Sequence, residues 1–213
     1  MNDDRGSIYR LVTKKGNQEF AVYTAHLDYR NCAYYDARGY DGNNWNKIEP
    51  VTNLDSILVL NRASVRDDAI ARFIKEAEKD KAAGRIVILG GDFNEPSHLD
   101  WTEATKDLYN HGGAVVNWTV SKSMEEAGFI DSFREVNPDP VKNIGTTWLT
   151  AADSLETPNR QDRIDYIYYQ GKTIKATASQ CYDNYLGKQF QFEGEPFFYG
   201  SDHGFVLTEF SIK

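Results

Sequence analysis

Four short segments of this chain place acids, amides and imidazoles where a packed core has no use for them. They are Thr24-Ala25-His26-Leu27-Asp28, Gly90-Gly91-Asp92-Phe93-Asn94-Glu95-Pro96-Ser97, Arg163-Ile164-Asp165-Tyr166-Ile167 and Gly200-Ser201-Asp202-His203-Gly204. Two of the four histidines, His26 and His203, fall within them. Taken singly, each segment has an ordinary explanation. A histidine ending a strand is more often a hydrogen-bonded structural residue than a catalyst, and Gly, Asp and Asn all favour turns. Arg163 and Asp165 fit a cross-strand surface pair of little energetic value, and Asp202-His203 could cap an element. Taken together, they supply what phosphoester hydrolysis needs: a carboxylate to activate water, oxygen ligands for a cation, and donors that stabilise a charged transition state.

The surrounding sequence predicts elements that end at these groups. Ile8 to Thr13 and Phe20 to Asp28 are β-rich runs around the polar turn Lys14-Lys15-Gly16-Asn17, a hairpin with His26 near the end of its second strand. Ser64 to Ala83 has helical spacing, with Val65, Ala69, Phe73 and Ala77 on one stripe, Gly84 as a stop, and Ser64 with Asp67 as a capping box. Ile86-Val87-Ile88-Leu89 lacks alternation, which predicts a strand buried on both faces that delivers Asp92 at its C-terminal end. Further strands are expected at Thr146 to Leu149, Ile164 to Tyr169, Ile174 to Tyr182 and Phe205 to Phe210, with a short helix near Ser123 to Ala127. From Tyr29 to about Arg62 periodicity is weak and Tyr, Asn and Gly are abundant. A connection this long either carries binding function or is a surface insertion without a role.

The whole chain, 213 residues, is expected to form one α/β domain, a layered sandwich. Hydrophobic content of 40% with 13% aromatics excludes a disordered chain. No apolar run approaches the roughly 18 residues that cross a bilayer, and the polar start differs from a signal peptide, so the compartment stays open. A net charge of −8 argues against a broad nucleic-acid-binding surface, although carboxylates that hold divalent cations reverse the local sign. Two cysteines, Cys32 and Cys181, are expected to be unpaired thiols.

The order and wording of the four segments resemble the endonuclease/exonuclease/phosphatase (DNase I-like) superfamily from Phe20 to Phe210. Gly-Asp-Phe-Asn followed by a terminal Ser-Asp-His is the most specific part of the likeness. The resemblance implies a four-layer α/β/β/α sandwich and a phosphoesterase that uses Mg²⁺ or Mn²⁺. It implies that Asp92 orients and deprotonates the attacking water, and that Asn94 holds the scissile phosphate or that water. Asp202 would ligate the cation with Asp92 and Asn94. His203 would donate to the phosphoryl oxygen with Asp165 fixing its tautomer, and His26 would be a second phosphate-contacting imidazole. Asp28, beside His26, and Thr147, in the Thr146-Thr147-Trp148 segment, are further candidates near the site, although a packing role for Trp148 explains that segment equally well. Tyr40 and Trp45, in the long connection, are expected to touch substrate.

The same resemblance implies strands upstream of the His-Leu strand that bring an Asn and a metal-binding Glu. Only 25 residues precede His26, and Gln18-Glu19 lies in the same strand as that histidine. The expectation is an N-terminally incomplete fold, impaired in catalysis, with an exposed sheet edge that invites self-association. The substrate could be a small phosphodiester, a lipid headgroup or nucleic acid. The competing reading is a non-catalytic domain that binds phosphate-like ligands.

Overall fold

Gly16, at φ +60°, turns the chain so that two strands pair as the predicted hairpin. The structure, a computed structural model, describes residues 2–3, 6–148, 162–183, 189–192 and 194–213. In chain order the elements are β1 (Asn2–Asp3), β2 (Gly6–Lys15), β3 (Gln18–His26), α1 (Ala33–Asp36), α2 (Leu54–Arg62), α3 (Arg66–Ala82), β4 (Ile86–Asp92), α4 (Thr119–Glu126), β5 (Ile130–Asp131), α5 (Ser132–Val136), β6 (Asp165–Gln170), β7 (Ile174–Tyr182), β8 (Gln189–Phe192), β9 (Glu195–Phe198) and β10 (Phe205–Ile212). The class is α/β, as expected.

The main sheet has the order β1-β2-β3-β4-β6-β5. β3 and β4 run parallel, joined by the crossover that contains α1 to α3, and β6 returns antiparallel to β4. Side chains alternate across the two faces, as strand geometry requires. Ala21, Tyr23, Val87, Leu89, Tyr166 and Tyr168 face Ile70, Phe73 and Ala77 of α3. Phe20, Ile86 and Tyr169 face the other way, against Ile174 and Ala176 of β7 and Phe210 of β10. β7 and β10 pair antiparallel as a second sheet, and β8 with β9 forms a separate hairpin. β4 is therefore central and covered on both faces, which is why its apolar run does not alternate.

Three sequence expectations need correction. The weakly periodic connection holds a nine-residue helix, α2, started by Asn53, whose side chain accepts from the Ser56 N–H. Its apolar face is narrow, with Leu54, Val59 and Leu60 left exposed, so the helical period was faint. The Ser64/Asp67 capping box does not form. The Ser64 hydroxyl accepts from the Arg66 N–H, Asp28 accepts from Val65 N–H, and Asp67 instead accepts from the Thr119 hydroxyl. The segment at Thr146 is irregular, with an isolated bridge between Trp148 and Asp162 in place of a strand, and Leu149 lies outside the described residues. Among the described residues no helix is long and apolar enough to cross a membrane, and Cys32 and Cys181 are free.

Candidate active site

Strand register alone lines up three of the candidate groups. His26 on β3 pairs with Asp92 on β4, and Asp92 pairs with Asp165 on β6, so the three stand side by side across the sheet. Alternation puts them on the face that carries β7 and β10. Gly91 makes this row possible. Its φ is +142°, and a Cβ there would stand 1.9 Å from the Ala25 carbonyl oxygen, so only glycine lets β3 approach β4 beside the site. His203 comes from the turn just before β10. Its Nδ1 lies 2.9 Å from Asp165 Oδ2, which leaves Nε2 facing Asp92 at 4.0 Å.

Asp92 Oδ2 is the hub. His26 Nε2 stands 3.6 Å from it, and the Asn94 amide nitrogen donates to it over 3.0 Å. Oδ1 accepts the Asn94 backbone N–H at 2.7 Å. This arrangement requires Asn94 to adopt φ +50°, a left-handed conformation that Asn tolerates better than most residues. The same amide nitrogen donates to the Leu27 carbonyl, tying the Asp-Phe-Asn turn to the end of β3. A gap of 4.0 Å between His203 Nε2 and Asp92 Oδ2 is too long for a hydrogen bond, yet one oxygen atom can touch both.

Burial pushes Asp92 up to about 7, and the adjacent Asp165 carboxylate adds to that push while His203 opposes it. Burial by itself would lower His203. The hydrogen bond and charge of Asp165, followed by Asp92 and Asp202, outweigh it, so the imidazole is held above its ordinary value. Asp92, Asp165 and His203 bring ligand atoms within 4.8 Å of one another, a set that could hold a metal ion. Two carboxylates with one imidazole fit a hard divalent cation such as Mn²⁺ or Mg²⁺.

The other expected residues take different places. Asp202 is exposed and stands outside that cluster. Asp28, 1% exposed, accepts backbone N–H groups of Arg30 and Val65 and is part of the scaffold. Tyr40 packs against the cluster around Cys32, Tyr34 and Trp118, whereas Trp45 lines the pocket with His26, Asp92, Asn94 and His203. Glu19, at the far end of β3 from His26, pairs with Arg85. Arg163 does not pair with Asp165. Its guanidinium is fully buried between Asp100 and Asp131 at 2.7–3.1 Å.

Three supporting residues carried little signal. Thr147, fully buried, accepts the N–H groups of Ile164 and Asp165 on its hydroxyl, and its carbonyl accepts from Gly204, so it fixes both halves of the Asp165–His203 pair. Trp148 packs its ring 4.4 Å from His203. Arg66, fully buried, donates to the carbonyls of Asp28, Arg30 and Asn31 and lies 3.5 Å from Glu95, holding the connection after β3 against the Asp-Phe-Asn-Glu turn. A hydroxyl or guanidinium acts this way only once distant segments meet, which local spacing does not encode.

Residues 11–203 match the model of the Endonuclease/Exonuclease/phosphatase family, nearly the whole chain. The chain belongs to this family. An uncharacterized protein of Caenorhabditis elegans is 34% identical to it over 160 residues, covering 71% of this chain and 48% of that protein. Among solved structures, an endonuclease/exonuclease/phosphatase from Beutenbergia cavernae superposes with TM-score 0.51 at 14% identity, covering 97% of this chain and 39% of that one. TDP2 of D. rerio, complexed with a single strand DNA product, superposes with TM-score 0.50 at 14% identity, over 97% of this chain and 62% of that one. At these identities the structures speak for a shared endonuclease/exonuclease/phosphatase fold. The chain spans about half the length of the curated relative that it matches.

Proposed function

We propose that this chain carries the phosphoester-hydrolysing site of a divalent-metal-dependent hydrolase. The observation that carries this reading is the row His26, Asp92 and Asp165, closed by His203 over a gap that fits one oxygen atom. Family membership supports the reaction class. Asp92 accepts the proton of the attacking water, and the two hydrogen bonds from Asn94 keep its carboxylate turned toward the reacting oxygen. His203, oriented through Nδ1 by Asp165, whose hydrogen bond and charge favour its protonated form, donates from Nε2 to the phosphoryl oxygen as negative charge develops there. His26, whose side chain is 71% exposed at the rim, contacts the incoming phosphate. Asp92 and Asp165 would hold a Mg²⁺ or Mn²⁺ ion, with His203 beside them. Such a cation supplies Lewis-acid stabilisation of the phosphoryl oxygens.

The test is hydrolysis of bis-p-nitrophenyl phosphate with Mn²⁺ or Mg²⁺ by the chain and by Asp92→Ala. The expected outcome is metal-dependent release of p-nitrophenol that falls by about 10³-fold or more in the variant. Equal rates in both proteins would remove the assignment of Asp92. Phosphate-competitive binding without turnover would favour the non-catalytic reading.

A further inference from the structure

The pocket that holds Asp92 and His203 has a volume of about 360 Å³, and one of its walls is a run of rings. From the His203 imidazole the run passes to Trp148, 4.4 Å away, then edge-on to Trp45 at 6.3 Å, and from Trp45 to Tyr35 at 4.8 Å. Trp148 Nε1 donates to the Tyr35 hydroxyl and locks the middle of the wall.

Trp45 stands out in this run. It is 45% exposed although it lines a pocket, and its φ is +65°. A bulky side chain in the left-handed region is strained and persists only where its surroundings fix it. They do so here. Asp41 Oδ1 accepts the N–H groups of Asn43 and Asn44, Asn44 accepts from Asn46, and Trp45 N–H donates to the Asp41 carbonyl. Gly42 closes against Asp36 and Cys32 so tightly that a Cβ would lie 2.7 Å from each. A ring needed only for packing would be buried, and a loop needed only as a connection would not hold tryptophan in this conformation.

We propose that Trp45 determines specificity, and that the substrate of this site is a small phosphoester bearing one planar aromatic ring, stacked on Trp45 while its phosphate lies at Asp92 and His203. This inference rests on the phosphoesterase reading for the position of the phosphate and adds the class of group attached to it. Size and charge both favour a small ligand. The volume is near the lower end of the roughly 300–1,000 Å³ of small-ligand pockets. Among the described residues lining the pocket, Arg30 is the one lysine or arginine, enough for a single phosphate but not for a polyanion track. The planar ring can come from an aryl ester or from a nucleobase, and both offer the same π-face.

Calorimetric titration with non-hydrolysable phosphonates in the presence of Mg²⁺ tests this apart from turnover. Phenylphosphonate and cyclohexylphosphonate differ in planarity at similar size, and an adenine-bearing phosphonate provides the nucleobase arm. The expected result is that the tighter planar ligand binds about tenfold better than cyclohexylphosphonate. That preference should vanish in Trp45→Ala and persist in Trp45→Phe, and the better of the two planar arms identifies the source of the ring. Equal affinity for the planar and non-planar ligands, no phosphonate binding at all, or a preference that survives Trp45→Ala overturns the proposal. Ring-selective binding without hydrolysis of bis-p-nitrophenyl phosphate removes the hydrolase reading alone, and hydrolysis without ring selectivity removes this one alone.

Discussion

Thr147 sets the geometry of the candidate acid without touching it. Its hydroxyl oxygen accepts two N–H groups at the start of β6, 3.1 Å each, immediately before and at Asp165, and its carbonyl accepts from Gly204, next to His203. Thr147→Val keeps the shape, removes the acceptor and leaves two N–H groups at the start of β6 without their partner. The expected loss is about 1–3 kcal/mol of stability, measured by urea unfolding. Turnover of bis-p-nitrophenyl phosphate should fall about 10–100-fold with little change in KM, as when a residue supporting a ligand is removed, and Thr147→Ser should restore most of both. A variant with unaltered turnover would show that the Asp165–His203 pair holds its geometry without Thr147. The segment around Thr147 is legible in the sequence only as Thr-Thr-Trp, because its contacts, with Asp162, Ile164, Asp165 and Gly204, come from distant positions in the chain.

At the scale of elements, a buried arginine connects the start of α3 with the connection after β3. Arg66 gathers the carbonyls of Asp28, Arg30 and Asn31, the Asn61 side chain and the Glu95 carboxylate, and none of its side chain reaches solvent. Glu95 in turn accepts from Val120 N–H at the start of α4, where a negative charge suits the helix dipole. Replacing Arg66 with Leu would leave three carbonyls without their donor and the buried Glu95 carboxylate without its neighbouring cation. The expected cost is about 3–5 kcal/mol in urea unfolding. Arg66→Lys should recover only part of it, since an ammonium cannot reproduce the planar fork. A loss below about 1 kcal/mol would mean that the connection is held elsewhere. The apolar stripe of α3 offers a comparison at the same scale. Phe73 is fully buried and meets Tyr23 edge-on at 4.9 Å, so Phe73→Ala should cost about 3–5 kcal/mol by the same measurement.

Across the whole molecule, Asp80 ties three elements together at the end of the sheet remote from the site. It accepts from Arg10 of β2, from the Tyr23 hydroxyl of β3 and from Arg85, while it belongs to α3 itself. The Arg10 hydrogen bond above all, then Tyr23 and Arg85, draws its carboxyl down to about 2 against the effect of burial. A carboxyl lowered on folding contributes stability above its unfolded value near 4, and that contribution is lost as pH falls toward 2. Asp80→Asn should therefore be less stable than the parent by about 2 kcal/mol at neutral pH. The two unfolding midpoints should converge between about pH 4 and pH 2. A gap that stays constant across this range would mean that the charge of Asp80 is not what stabilises the fold. A divalent cation held by Asp92 and Asp165 would also act on the molecule as a whole, since an ion that binds only the native state must raise Tm. Added Mn²⁺ should raise the Tm of the chain and EDTA reverse it, with no response in a variant carrying both Asp92→Ala and Asp165→Ala.

Sequence by itself determined the strands that carry His26, Asp92 and Asp165, the helix that covers them and the family, because these depend on alternation, helical spacing and short contiguous motifs. Gly90-Gly91-Asp92-Phe93-Asn94 announces itself as a turn-forming motif that ends an apolar strand, and the structure adds that only glycine fits beside Ala25. Only the tertiary structure decided that Asp202 stands apart and exposed, that Arg163 belongs to Asp100 and Asp131, and that Trp45 rather than Tyr40 faces the pocket. Each of those outcomes turns on which distant side chains meet when strands set their register, a long-range property that no local pattern of residues contains.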